Sequence, residues 1–153
     1  MSTPGDAKTS YAATVIILAG GRGARMGGVS KAFLPWGEGT LLEHVVAQAR
    51  AAAEEVVVVG DGVEPPAGST VVVDVFSDAG PLGGLHAGLQ AARFERCLAV
   101  GCDMPFVTAA VMRALLDLGL GYDAAVPRTE DGLHPLLAAY ARADLPVIEG
   151  QLV

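Results

Sequence analysis

Positive charge is scarce in this chain: ten Lys and Arg stand against 17 Asp and Glu, a formal net charge of −7. A general nucleic-acid binder needs a basic footprint, so that class is set aside. No stretch reaches ~18 consecutive apolar residues, which excludes a membrane-spanning helix. Residues 1–13 lack a basic start followed by an apolar run and a small-residue cleavage site, so no secretory signal is expected. Cysteine is limited to Cys97 and Cys102. In one extended strand these would lie roughly 16 Å apart on opposite faces, beyond disulfide reach. Two reduced, buried thiols in a cytoplasmic protein are expected. Charged residues are only 18% of the chain while 52% are hydrophobic, which excludes intrinsic disorder. There is no internal repeat and no low-complexity tract.

Glycine is what the chain has in excess: 20 of 153 residues, nearly twice the ~7% of average proteins. The length suits one domain: a flexible tail over residues 1–13, then a single domain over 14–153. Four short, continuously apolar runs, Thr14–Ala19, Val56–Val59, Val71–Val75 and Cys97–Val100, read as central strands of a parallel sheet covered on both faces. Each ends in Gly or Asp, so polar and small residues gather where open α/β sheets bind ligands. Thr40-Leu-Leu-Glu43 is a capping box, and the apolar stripe behind it predicts a helix through Arg50. A second helix is predicted over Leu85–Phe94. A third follows Thr108, with Val111, Leu115 and Leu118 inward and Gly119 as its stop. Asp123–Pro127 and Leu136–Tyr140 read as later strands. The linker carrying Pro65-Pro66 is too short for a crossover helix.

The first strand runs into a loop from Gly20 to Lys31 that holds Arg22, Arg25 and Lys31 among five glycines. Glycines let backbone N–H groups face an anion, and the cations add charge, so the loop has the ingredients of a polyphosphate cradle. It is neither of the two commonest glycine motifs. No Gly directly precedes Lys31, as a Walker A requires, and Met26 stands where the dinucleotide fingerprint needs its third Gly. A second cluster, Gly80-Pro81-Leu82-Gly83-Gly84, follows strand three and opens a helix with Pro in the first helical position. Cys102-Asp103-Met104-Pro105 ends strand four. A lone carboxylate there can hold Mg²⁺, which takes one or two carboxylates and completes its shell with water and phosphate oxygens. The alternative for Asp103 is a turn former before Pro105. No Ser/His/Asp arrangement and no zinc spacing is present.

Leu-Ala-Gly-Gly-x-x-x-Arg-Met-Gly-x-x-x-Lys, Gly80-Pro-Leu-Gly-Gly84, Cys102-Asp-Met-Pro105 and Leu133-His-Pro-Leu136 together resemble the molybdenum cofactor guanylyltransferase (MobA) family from Thr14 to about Tyr140. The resemblance implies a three-layer, Rossmann-like α/β nucleotidyltransferase fold with a mostly parallel central sheet. It implies transfer of GMP from GTP to the phosphate of molybdopterin, with Mg²⁺ as cofactor and pyrophosphate as by-product. It places Leu18, Ala19, Gly20 and Gly21 at the nucleotide, with Lys31 on the triphosphate and Arg25 as the Arg of the signature loop. Asp74, Asp61 and Gly80 fall among the nucleotide-binding positions, and Asp103 matches the magnesium-binding Asp. Transient contact with cofactor delivery proteins is also implied.

Departures from the family pattern are Ser30, where many members have Asp, and Gly83, a conservative replacement of a frequent Ala. The chain also ends before the family's usual last helix and strand. Three alternatives remain: a sister cytidylyltransferase using CTP, a nicotinamide-dependent oxidoreductase suggested by Gly21, Gly23 and Gly27, and a noncatalytic nucleotide-binding remnant. His44 reads as a surface or half-buried helix residue, and Trp36 as part of a packed hairpin. His86 and His134 read equally as packing or as substrate contacts.

Overall fold

The computed structural model describes residues 10–19, 25–26, 29–76 and 79–152. Six strands form one sheet: β1 (Tyr11–Leu18), β2 (Ala53–Val59), β3 (Thr70–Val72), β4 (Arg96–Gly101), β5 (Ala124–Ala125) and β6 (Leu137–Ala141). Their spatial order is β3-β2-β1-β4-β6-β5. The pairs β1–β2, β1–β4 and β2–β3 are parallel, while β6 is antiparallel to β4 and β5. Helices α1 (Leu41–Ala52), α2 (Pro81–Ala91), α3 (Ala109–Leu118) and α4 (Leu145–Leu152) cover the two faces.

The continuous apolar runs follow from burial on both sides. Alternate residues of the central strands, Val15, Ile17, Val56, Val58, Leu98 and Val100, pack against α1 and α3 through Leu42, Val46, Met112 and Leu116. The intervening set, Ile16, Val57, Val59, Cys97 and Ala99, packs against α2 through Leu85 and Leu89, with Leu145 and Ile148 of α4 at its margin. Both cysteines are free and buried, one in each core layer, as the strand alternation requires. Burial pushes the Cys97 thiol up to about 12, helped by the charges of Glu95 and Glu55 against that of Arg142. Buried Thr14 is satisfied by donating to Glu55 Oε1 at 2.7 Å. Among the described residues no helix is long and apolar enough to cross a membrane.

The α1 capping box is present in full: Thr40 Oγ1 accepts from Glu43 N, and the Glu43 carboxylate accepts from Thr40 N. Thr108 caps α3 by the side-chain bond alone, its Oγ1 accepting from Val111 N at 3.3 Å. Several details differ from expectation, among them the end of α2, which is Ala91 rather than Phe94. Strand three is Thr70–Val72, not Val71–Val75, and Val73 and Val75 are exposed because the chain leaves an edge strand there. Helix α2 begins at Pro81, four residues before its apolar stripe, because proline presets the first helical turn. In α3 the buried set is Met112, Leu115 and Leu116, while Val111 and Leu118 are exposed. The stripe is rotated toward Met112, which meets the core. The strand expected over Asp123–Pro127 is confined to Ala124–Ala125 at the far edge of the sheet. The Pro65-Pro66 linker joins parallel neighbours β2 and β3 without a helix, as its length requires.

Candidate active site

Strand register sets the site. Leu18 lies level with Val59 on one side and Gly101 on the other, and Val59 lies level with Val72. Four chain segments therefore leave one edge of the sheet together, the edge where open α/β sheets bind ligands. Backbone hydrogen bonds continue past the strands: Ala19 N to Val59 O at 2.9 Å, Gly60 N to Val72 O at 3.0 Å, Cys102 N to Leu18 O at 3.1 Å and Gly101 N to Leu136 O at 3.0 Å. The Leu18, Cys102 and Leu133–Leu136 motifs, over 100 residues apart in sequence at their extremes, are thus knitted edge to edge. The Gly80–Gly84 motif joins them through α2, where a Cβ on Gly84 would lie 3.1 Å from Leu18 Cδ2. A largely apolar groove of about 300 Å³ opens at this junction, lined by Leu18, Pro81, Leu82, Leu85, Pro135, Leu136 and Tyr140. Tyr140 braces its wall by donating to Pro135 O at 2.8 Å.

Charged groups flank the strand ends on two sides. On the α1 side, Lys31 opens a short 3₁₀ turn and Asp103 follows β4, exposed to solvent. Both act on the buried Cys102 thiol, which burial and the Asp103 charge push up to about 11 while Lys31 pulls it back. A lysine and a carboxylate are thus both within electrostatic reach of one side chain at the sheet edge. The Asp103 carboxylate folds back over Gly101, where a Cβ would come within 2.7 Å of Oδ1. Among the described residues no group of three or more His, Cys, Asp or Glu could cage a metal. One solvent-facing carboxylate therefore suits Mg²⁺, which shares its shell with substrate phosphates, better than a cation needing an all-protein site.

On the α2 side, Asp74 is half-buried and its Oδ1 accepts from Phe76 N at 2.6 Å. Its carboxylate rests against Gly83 in the first turn of α2, the electropositive end of the helix. A Cβ on Gly83 would meet Asp74 Oδ2 at 2.6 Å and Phe76 O at 2.7 Å, so alanine there is not the conservative exchange expected. Gly80, the N-cap of α2, has φ +63°, a conformation L side chains rarely adopt. Asp61 is exposed in the turn after β2, on the same edge. Gly20 and Gly21 lie outside the described residues. Arg25 is described through its backbone alone, in a two-residue ladder with Ser30.

The histidines separate. His86 is buried between layers, its ring edge-on to Phe76 at 5.1 Å and its Nε2 3.9 Å from Glu149. His134 shares a 2.6 Å hydrogen bond with Thr129 Oγ1 beside the groove. His44, which the sequence presents as bland, hydrogen-bonds Pro105 O through Nε2 at 2.8 Å. Trp36 lies in the expected hairpin, Pro35–Trp36 pairing with Gly39–Thr40, and packs against His44 and Phe106. The His44 and Gly101 contributions have no local signal. One spans 61 residues, and the other depends on which way a carboxylate turns.

Several known proteins similar to this chain carry nucleotidyl-transfer names. A profile of the MobA-like NTP transferase domain matches residues 15–152. A probable molybdenum cofactor guanylyltransferase of Pelotomaculum thermopropionicum is 41% identical over 92% of this chain and 69% of its own length. The crystal structure of molybdopterin-guanine dinucleotide biosynthesis protein A from Archaeoglobus fulgidus superposes with a TM-score of 0.71 at 27% identity, over 91% of this chain and 72% of that one. That of 2-C-methyl-D-erythritol 4-phosphate cytidylyltransferase from Thermus thermophilus gives 0.69 at 25% identity, over 90% and 74%. Membership in this group replaces the nicotinamide-dependent alternative, and the three-layer, mostly parallel sheet is the fold the motifs implied. The chain belongs to the MobA-like NTP transferase family and is a nucleotidyltransferase.

Proposed function

We propose that the chain transfers GMP from GTP to the terminal phosphate of molybdopterin, forming the guanine dinucleotide and releasing pyrophosphate. The observation that carries this reading is the meeting of the signature segments at one sheet edge, with Lys31 and Asp103 both acting on Cys102. An oxygen of the acceptor phosphate attacks the α-phosphorus in line. The new P–O bond forms as the bond to the β-phosphate oxygen breaks, and pyrophosphate leaves with that electron pair. No protein nucleophile is needed, so catalysis is positioning and charge neutralisation.

Leu18, Ala19 and Gly20 are assigned to the base, and Gly21, Asp61, Asp74 and Gly80 to the remaining nucleotide contacts. Lys31 and Arg25 neutralise charge that builds on the leaving pyrophosphate. Asp103 holds Mg²⁺, which when bound supplies further neutralisation of the phosphate oxygens.

The choice of base is tested by thermal unfolding with each nucleotide. A ligand at 100 times its dissociation constant stabilises by about 2.7 kcal/mol, a rise of roughly 5–10 °C for a chain of this size. With Mg²⁺ present, GTP is expected to give that rise and CTP at equal concentration less than a third of it. The reverse order would assign the chain to CTP.

A further inference from the structure

Asp103 sits in the segment between β4 and α3, which its own backbone holds loosely. Met104 N reaches Gly101 O and Val107 N reaches Met104 O, both at 3.3 Å, the long end of the hydrogen-bond range. The short tie comes from outside, from His44 Nε2 to Pro105 O at 2.8 Å. A carbonyl only accepts, so Nε2 carries the proton. The next residue, Phe106, is 84% exposed yet packs edge-on against Trp36 with centroids 5.4 Å apart. Trp36 in turn lies 5.8 Å from the His44 ring. Two aromatic side chains thus hold residues 105 and 106 from the α1 side.

That same side carries Lys31. Leu34 N bonds Lys31 O at 3.2 Å, Leu41 N bonds Leu34 O at 2.9 Å, and the Trp36 hairpin leads into the Thr40 cap of α1. Lys31, Trp36 and His44 therefore ride on one frame, and His44 supplies the hydrogen bond from that frame to the Asp103 loop, beside the Trp36–Phe106 ring contact. The α1–α3 contact has ties of its own: Ala109 N donates to Gln48 Oε1 at 3.0 Å, and Arg113 Nη1 donates to Ala51 O at 3.1 Å. Loss of the His44 bond leaves those in place.

We infer that His44 is a positioning residue that sets the Asp103 carboxylate relative to Lys31 through its hydrogen bond to Pro105 O. This rests on the proposed role of Asp103. The test is Mn²⁺ binding in the presence of GTP without acceptor, read as free Mn²⁺ by electron paramagnetic resonance. Steady-state constants and melting temperature are measured alongside, for H44F, H44Q, H44N and D103A. Removing a hydrogen-bond partner one shell out from a metal costs about 10–100-fold in affinity or activity. H44F is expected to weaken Mn²⁺ binding and lower kcat about 10-fold, with KM for GTP within about twofold. H44Q, whose amide reaches as far as Nε2 and donates, is expected within about threefold of the parent, whereas the shorter H44N behaves like H44F. Should H44F fail to fold, the contrast between H44Q and H44N decides.

Wild-type Mn²⁺ binding by H44F or H44N, or equal impairment of H44Q and H44N at an unchanged melting temperature, would overturn the inference. If D103A loses Mn²⁺ while H44F keeps it, only the His44 inference falls. If D103A keeps Mn²⁺, the role of Asp103 itself is wrong.

Discussion

Replacing Asp103 by Ala is expected to lower GMP transfer about 1000-fold or more while the GTP dissociation constant changes by no more than about threefold. In the proposed site the base and sugar are gripped elsewhere, by the Leu18 strand end and the α2 side. What Asp103 supplies is a negative group at the phosphates, exposed after β4 and folded back over Gly101. An interaction used mainly in the transition state lowers kcat when it is lost, with little effect on ground-state binding. D103N keeps the shape and removes the charge, so it should be nearly as inactive. Gly101→Ala is a milder probe, since its Cβ would press on Asp103 Oδ1 and turn the carboxylate away without removing it. Single-turnover transfer set beside equilibrium GTP binding separates the two quantities. Near-normal transfer by D103A with Mg²⁺ would show that the carboxylate is a turn former only.

The largest stability effect is expected at a residue far from any substrate. Gly88 sits in α2 directly over Ile16, and a Cβ there would collide with Ile16 Cγ2 and lie 3.0 Å from both Cδ1 and Cγ1. Ile16 cannot retreat: it is fully buried at the centre of β1, level with Val57 and Ala99 of the flanking strands, and β-branched side chains are stiff at χ1. Gly88→Val should destabilise by about 3 kcal/mol, a fall of roughly 6–12 °C in Tm for this length. Gly150→Ala is the control. Gly150 lies in α4 with nothing within 4 Å of a Cβ, so the exchange should be neutral or stabilising by up to about 1 kcal/mol. Thermal unfolding of these variants reads this, and an unchanged Tm for Gly88→Val would show that α2 can lift from the sheet freely.

These two glycines illustrate what sequence can and cannot convey. The strands were legible because burial on both faces leaves an uninterrupted apolar run, as in Val56–Val59. The α1 start was legible because a capping box is a local signal. Motif identity named the segments that meet at the edge, since Leu18, Cys102 and Leu136 each adjoin a recognisable run. Rotation of α3 was not legible, because Val111 and Met112 are both apolar and only the position of the sheet chooses between them. Gly83 reads as interchangeable with Ala in the sequence, whereas the Asp74 carboxylate occupies the space its Cβ would fill. His44 looked ordinary because its partner, Pro105, is 61 residues away. Local chemistry shows in a sequence, whereas contacts between distant segments show only once the chain is folded.

The central claim is that the sheet edge transfers GMP to molybdopterin, and pyrophosphate release tests it most directly. The chain is mixed with molybdopterin, Mg²⁺ and either GTP or CTP, and pyrophosphate is followed together with the mass of the dinucleotide product. The account predicts stoichiometric pyrophosphate and a guanine dinucleotide with GTP, far less with CTP, and none without the acceptor. Binding of GTP with no pyrophosphate in the presence of molybdopterin, or faster release from CTP, would contradict it.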